Sequence, residues 1–311
     1  MFSSDLVSVV ITCFNKRDYI VEAVESVLDQ EHQTLELLLI DDGSTDGSVA
    51  ELQSVRDPRL KIHRQSNKGV CVARNAGLDM AQGKYILFMD GDDWLDKRHL
   101  TSLLQTVSGG YDVAVSDWVE SDQAVSESKS PPADLSIESY VCSSPWALHA
   151  ALMRLDYLQN TNVRWSVELN RLACEDNRFW FQVLRQASVG FSGQATAFYR
   201  VNLQASRTKG TIRARWMEGF LIAARKNVKE LDAGEAEAFG VAARIIESVF
   251  IAEGRAVSVE FDQKFTDLWN LCVDLSSDPT RNTELSLRIR KLLGFKLIIA
   301  LLRLVKLLGH R

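Results

Sequence analysis

The chain is short of cysteine, and what it has is scattered: Cys13, Cys71, Cys142, Cys174 and Cys272 are odd in number and form no C-x-x-C pair. That spacing excludes a disulfide framework and a thiolate metal cage, and it reads as buried or free thiols in a reducing compartment. An excess of positive charge is missing too. The formal net charge of −5 argues against a general nucleic-acid binder, whose affinity for phosphate needs a basic surface. The opening residues, MFSSDLVSVVITCFN, carry no basic region ahead of an apolar one, so they do not read as a signal peptide, and a cytosolic catalytic face is expected. Glycine-rich phosphate loops are absent as well. No G-x-G-x-x-G follows the first strand and there is no Walker pattern, so neither of these direct phosphate cradles is available.

What the chain does have is apolar material broken by acidic loops. Its 311 residues are 46% hydrophobic and 25% charged, enough for one large domain with an appendage, or for two domains. The stretch Gly83 to Trp94, GKYILFMDGDDW, sets an uninterrupted apolar run against three carboxylates, Asp90, Asp92 and Asp93. Such a run suits a strand buried on both faces of a parallel sheet. Acids at its carboxyl end lie where open α/β sheets place their ligands, and like charges so close favour a neutralising cation. Oxygen ligands of this kind select Mg²⁺ or Mn²⁺. The bland alternative is a solvated Asp-Gly turn.

Three further strands are expected before it, at Val7 to Phe14, Leu35 to Ile40 and Leu60 to His63. Helices are expected from about Asp18, an N-cap candidate, through Leu28; from near Thr45; and through Ala73 to Leu78, stopping at Gly83. Strands alternating with helices predict a doubly wound, mixed and mainly parallel α/β sheet with right-handed crossovers. Two acidic loops, DDGSTD at 41–46 and DGDD at 90–93, then fall on one sheet edge. Carboxylates hold a ribose by its hydroxyls, a base by its N–H groups and a diphosphate through a divalent metal. The ligand implied is a nucleoside diphosphate.

The motifs Val9-Val10-Ile11-Thr12-Cys13-Phe14-Asn15, Ile40-Asp41-Asp42-Gly43-Ser44-Thr45-Asp46, Asn67-x-Gly69 with Ala73-Arg74-Asn75-x-Gly77, and Asp90-Gly91-Asp92-Asp93 occur in that order. Together they resemble the family 2 glycosyltransferases, closely over Val7 to Trp94 and weakly to about Arg207. The resemblance implies a GT-A-type nucleotide-sugar fold, a divalent metal (Mn²⁺ or Mg²⁺) and transfer with inversion. It implies Asp41 or Asp42 at the nucleobase, Arg74 near the nucleotide, Asp90 at the ribose and Asp92 at the metal, with the ligand open among Asp90, Asp92 and Asp93. The local alternative for Asp41 and Asp42 is an Asx turn.

Downstream, a helix is expected over Asp96 to Val107, a strand over Tyr111 to Trp118, a surface loop over Glu120 to Asp134 and a helix over Ser144 to Asn160, in which Trp146 and His149 are candidates for an acceptor pocket, with the core favoured for Trp146 because large aromatics are usually packing residues. Glu175-Asp176 opens a helix and matches the pair in which the family places its catalytic base. Asp176 is the candidate base and Glu175 a supporting group, against the plainer role of acids in a first helical turn. Gly190 to Val201 reads as strand. Asn202 stands where the resemblance expects His, and Arg200 and Arg207 are candidate diphosphate partners.

Residues 1–207 are thus expected to form a nucleotide-sugar-binding catalytic domain, 208–290 a helical region and 291–311 a tail helix. In that tail Lys291, Lys296, Arg303, Lys306 and His310 crowd into an arc of roughly 140°, leaving a broad Leu/Ile/Phe face. Internal charges make it a poor transmembrane span, whereas the division into faces suits a helix lying on a membrane surface, or else one docked on the core or on a second subunit. The function expected is transfer of a sugar from a nucleoside-diphosphate donor, UDP-linked, to an acceptor hydroxyl with inversion. The acceptor is a glycan or lipid-linked glycan, and the setting is the cytoplasmic face of the cell membrane in polysaccharide synthesis. The competing readings are an inert donor-site relic serving as a membrane assembly subunit and a sugar nucleotidyltransferase.

Overall fold

The computed structural model describes residues 5–121, 126–133, 144–170, 172, 174–201 and six positions, 219, 222, 223, 226, 227 and 230. The first strand, β1 (Val7–Cys13), is buried throughout, as is β2 (Leu35–Asp41). A β-branched or leucine-rich run without polar alternation must be covered on both faces, and only the interior of a helix-clad parallel sheet does that. With β3 (Leu60–Arg64) and β4 (Tyr85–Asp90) they form the parallel order β3-β2-β1-β4, in which Val10 pairs with Leu38 on one side and Phe88 on the other.

The strands alternate between two cores. Val9, Ile11, Leu37, Leu39, Leu87 and Met89 face α1 (Ile20–Leu28) and α4 (His99–Val107), while Val10, Leu38, Ile40, Ile86 and Phe88 face α3 (Val70–Met80) and α6 (Glu175–Leu184). Each such side chain is worth about 1.5–3 kcal/mol when fully buried. Helix α3 lies so close to β1 that a Cβ on Gly77 would sit 2.2 Å from a Val10 methyl, which leaves glycine as the residue that fits there. The short helix between them, α2 (Ser48–Glu51), follows Gly47 in the left-handed region (φ 91°). The helix expected from near Thr45 therefore starts three residues later, at Ser48.

Beyond β4 the sheet becomes mixed. The two-residue strand β5 (Trp94–Leu95) pairs with β9 (Val189–Arg200), which runs parallel to β6 (Val113–Ser121); β8 (Ala151–Arg154) lies antiparallel between β4 and β6. Among the described residues this makes nine strands, with β7 (Ser126–Lys129) off the main path.

Several expected elements are corrected. Ser144 to Asn160 is not one helix: after a 3-10 turn at Leu148–Ala150 come strand β8 and only a short helix, α5 (Leu155–Asn160). Ala151, Leu152 and Met153 are good helix formers, but they fill the slot between two buried strands, where Ile86 pairs with Met153 and Ala114 with Leu152. Tertiary context overrides propensity there. Part of the expected loop Glu120 to Asp134 is a hairpin, with Glu120 opposite Glu127 and Ser121 opposite Ser126, built from backbone pairing that polar side chains do not advertise. Tyr19 rather than Asp18 caps α1, without a side-chain bond, and α4 starts at His99 because Trp94 and Leu95 are drawn into the sheet. The remainder of 208–290 and all of 291–311 lie outside the described residues.

Candidate active site

The three carboxylates after β4 have three different fates. Asp90 accepts hydrogen bonds from Thr12 Oγ1 at 3.0 Å and from an Arg74 terminal nitrogen at 3.0 and 3.2 Å. Asp92 is held by the Lys16 ammonium, and its main-chain oxygen accepts from Arg200 Nε at 2.8 Å. Asp93 turns inward: it is buried, accepts the Arg200 amide at 2.9 Å and lies 3.3 Å from His149 Nδ1. Burial, with Asp92 and Asp90 nearby, pushes its carboxyl well above the usual range. Asp90 and Asp92, with side chains 27% and 14% exposed, are therefore the pair that opens outward.

No group of three His, Cys, Asp or Glu side chains among the described residues is placed to hold a metal unaided. Mg²⁺ and its like are commonly held by one or two carboxylates plus phosphate oxygens and waters rather than by an all-protein cage. The outward pair Asp90 and Asp92 fits that donor set.

At the neighbouring strand end, Asp41 and Asp42 are both buried. Asp41 Oδ1 accepts the Ser44 amide at 2.9 Å, and Arg64 Nε lies 3.1 Å from its Oδ2. Asp42 accepts from Gln65 Nε2 at 2.7 Å, from the Lys68 amide at 2.8 Å and from the Gly69 amide at 2.7 Å. The Asp42 bonds fix the loop that opens α3, while Asp41 closes its own turn at Ser44 and ties it to Arg64 of β3. Phe14, just past an otherwise buried strand and 44% exposed, stands in the first motif without an assigned role, and Lys16 is an edge residue outside the motifs. Phe14 lies one residue and Lys16 three residues past the end of β1.

On the far side, α6 begins at Glu175 after Cys174, a non-glycine residue at φ 66°. Such strain of about 1–3 kcal/mol persists where surrounding structure over-determines it. Glu175 is buried, while the Asp176 side chain is 38% exposed. Arg74 joins the two halves. One of its terminal nitrogens donates to Asp176 at 2.8 Å and lies 3.9 Å from Glu175, while the other donates to Asp90. The guanidinium is 1% exposed and its carbon sits 4.3 Å over the Trp165 ring, which stacks on Phe179. Burial works against this charge, but Asp90, Asp176 and Glu175 outweigh it and raise the Arg74 pKa.

The other candidates fall in less direct places. Trp146 is core, and His149 is fully buried rather than lining a pocket, its imidazole pushed down to about 4 by burial. Arg200 is buried between the Trp94 and Tyr19 rings and donates to Glu22 at 2.6 Å. It holds the acid loop instead of facing solvent. Asn202 and Arg207 lie outside the described residues. Asn227 and Glu230 accept from Arg178 of α6 at 2.9 and 3.1 Å, which docks these residues on α6.

A mainly parallel sheet with acids from two strand ends and a helix start gathered at one edge defines a GT-A-like fold. The structure of S. aureus TarS residues 1–349 in complex with UDP-GlcNAc superimposes with a TM-score of 0.70 at 18% identity, covering 88% of this chain and 82% of that one. The same TarS fragment with UDP gives 0.65 at 19% identity, covering 88% and 81%. Residues 8–154 match the family described as glycosyl transferase family 2. Glycosyltransferase GlyG of Streptococcus pneumoniae is 36% identical over 125 residues, 39% of this chain and 42% of that protein. TuaG of Bacillus subtilis, whose name refers to teichuronic acid biosynthesis, is 44% identical over 103 residues, 32% of this chain and 41% of that protein. The chain thus spans about two fifths of the length of these two relatives. Asp176 lies beyond the matched segment.

Proposed function

We propose that the chain transfers a sugar from a nucleoside-diphosphate donor, UDP-linked, to an acceptor hydroxyl with inversion. The observation that carries this reading is the convergence of Asp90, at the end of β4, and Asp176, in the first turn of α6, on one buried guanidinium, with Asp92 two residues past Asp90 on the same loop. The relatives named above support it, as do the TarS structures, whose titles give UDP-GlcNAc and UDP as ligands of that protein. Phe14, exposed at the end of β1, offers an aromatic face to the base, and the Asp41–Asp42 loop lies at the next strand end.

The chemistry needs a base on the face opposite the leaving group. Asp176 takes the proton of the acceptor hydroxyl as its oxygen bonds to the anomeric carbon, and the bond from that carbon to the diphosphate breaks with its electron pair on the phosphate oxygen. A positioned base contributes about 10²–10⁴-fold. When bound, Mn²⁺ or Mg²⁺ neutralises charge on the leaving diphosphate; Asp92, with Asp90, would hold it. Lys16 and Arg200 keep the acid loop in place around that position. Teichuronic acid in TuaG's name supports a glycan or lipid-linked glycan as acceptor. The cationic arc of 291–311 supports attachment at the cytoplasmic face of the membrane.

The test is a screen of nucleotide sugars for metal-dependent release of nucleoside diphosphate, with and without lipid-linked glycan acceptors. Turnover of one donor that rises with acceptor is the expected result. Silence with every donor would favour an inert assembly subunit, and release of pyrophosphate from a sugar phosphate and a nucleoside triphosphate would favour a nucleotidyltransferase.

A further inference from the structure

We propose that Arg74 is the positioning residue of the base, keying Asp176 to the sheet, rather than a ligand of the nucleotide. A guanidinium that reads a base or a diphosphate must present its edge to the ligand. Here it is walled in at 1% exposure, with Trp165 over its face and Nε buried without a hydrogen bond. Its two terminal nitrogens are directed at carboxylates from distant parts of the chain, Asp90 sixteen positions away and Asp176 one hundred and two.

The bridge has a fixed end and an end that needs fixing. Asp90 terminates a strand in the middle of the sheet and is also held by Thr12 of β1. Asp176 stands in the first turn of α6, behind a strained Cys174, with a side chain 38% exposed. A rigid planar fork fixes both the distance and the angle between two carboxylates, which a flexible ammonium with one point of charge does not. The bridge therefore refers the base to the same strand end that carries the donor-side acids. Misplacing a reacting group by about 1 Å can cost roughly a hundredfold in rate, so the geometry, and not only the charge, is what Arg74 supplies.

This inference rests on the glycosyl-transfer reading, and the experiment separates the two. Arg74→Lys, Asp176→Asn and the double variant are made in the full chain, with UDP plus Mn²⁺ as the calorimetric probe and the donor found by screening as the turnover probe. Arg74→Lys is expected to keep UDP affinity within about threefold and to lower turnover roughly a hundredfold. It should add little further loss once Asp176 is already Asn, since residues acting as a unit are non-additive. Loss of UDP binding by tenfold or more in Arg74→Lys, or turnover losses that multiply in the double variant, would overturn the proposal. Should Arg74→Lys be too unstable to assay, or should wild type turn over no donor, thermal midpoints of the three variants decide the bridge. Coupled midpoints support it, and additive ones overturn it. A silent wild type by itself counts against glycosyl transfer alone.

Discussion

Arg200 and Asp92 are joined main chain to side chain: the Asp92 carbonyl accepts from Arg200 Nε at 2.8 Å, while the Arg200 amide donates to the next residue, Asp93, at 2.9 Å. The last residue of β9 thus holds the acid loop from behind. Arg200→Met should cost about 1–3 kcal/mol of stability, the usual size for a lost buried bond network, and should weaken metal-dependent UDP binding by loosening Asp92. Urea melts and calorimetry check the two effects. A variant that is stable and binds UDP as wild type would remove Arg200 from the loop's support.

Asp92→Asn should abolish the Mn²⁺ dependence of UDP binding while leaving the melting temperature nearly unchanged. It removes a ligand charge and an ion pair with Lys16 that is partly exposed, and such surface pairs are worth about 0–1 kcal/mol. Titration of UDP with and without Mn²⁺ reads the difference. Persistent metal dependence would move the ligand to Asp90.

Asp42→Asn should behave in the opposite way on stability. Both of its oxygens accept from the loop that opens α3, and an amide nitrogen in place of one oxygen faces a donor. A loss of about 1–3 kcal/mol is expected. A melt identical to wild type would mean that the carboxylate serves ligand rather than fold.

The parallel half of the fold was legible because Val7 to Cys13, Leu35 to Ile40 and Tyr85 to Met89 are apolar runs too short for helices and too continuous for an exposed sheet. The acidic loops followed from their positions at the ends of those strands. Strand β8 was not legible, since Ala151 to Met153 take strand geometry only because β4 and β6 leave a gap between them. Nor was the bridge: nothing local to Arg74 shows that Asp176 approaches it across the sheet edge. Lys16 was hidden for a different reason, since a lysine past a strand end looks solvated until its partner is in place.

His99 sets a pH dependence. Its Nε2 donates to the His149 carbonyl at 2.9 Å, so Nδ1 accepts from Thr196 Oγ1 at 2.8 Å. Burial and the neighbouring His149 push this neutral imidazole down to about 3 from the ordinary 6.5. As pH falls below 6.5 the unfolded chain binds a proton that the folded chain refuses. Stability is therefore full above that value and declines toward about pH 3, with a slope approaching 1.4 kcal/mol per pH unit for this group, an order-of-magnitude figure. Urea melts of wild type and His99→Asn between pH 7.5 and 5 should show a shallower slope in the variant. Parallel slopes would contradict the assignment.

The tail, residues 291–311, carries its own prediction. Vesicle co-sedimentation should rise with anionic lipid content, and neutralising Lys296, Arg303 and Lys306 should cost roughly a hundredfold in partitioning, at about 1 kcal/mol per cation. Indifference of the full chain to anionic vesicles would remove the membrane from the account.

The central claim is that Asp176 performs chemistry on a donor held by Asp90 and Asp92, and Asp176→Asn tests it most directly when binding and turnover are measured side by side. The account predicts UDP affinity in the presence of Mn²⁺ near that of wild type, with donor turnover reduced by roughly 10²–10⁴-fold. Turnover close to wild type, or a loss of UDP binding that matches the loss of turnover, would contradict it.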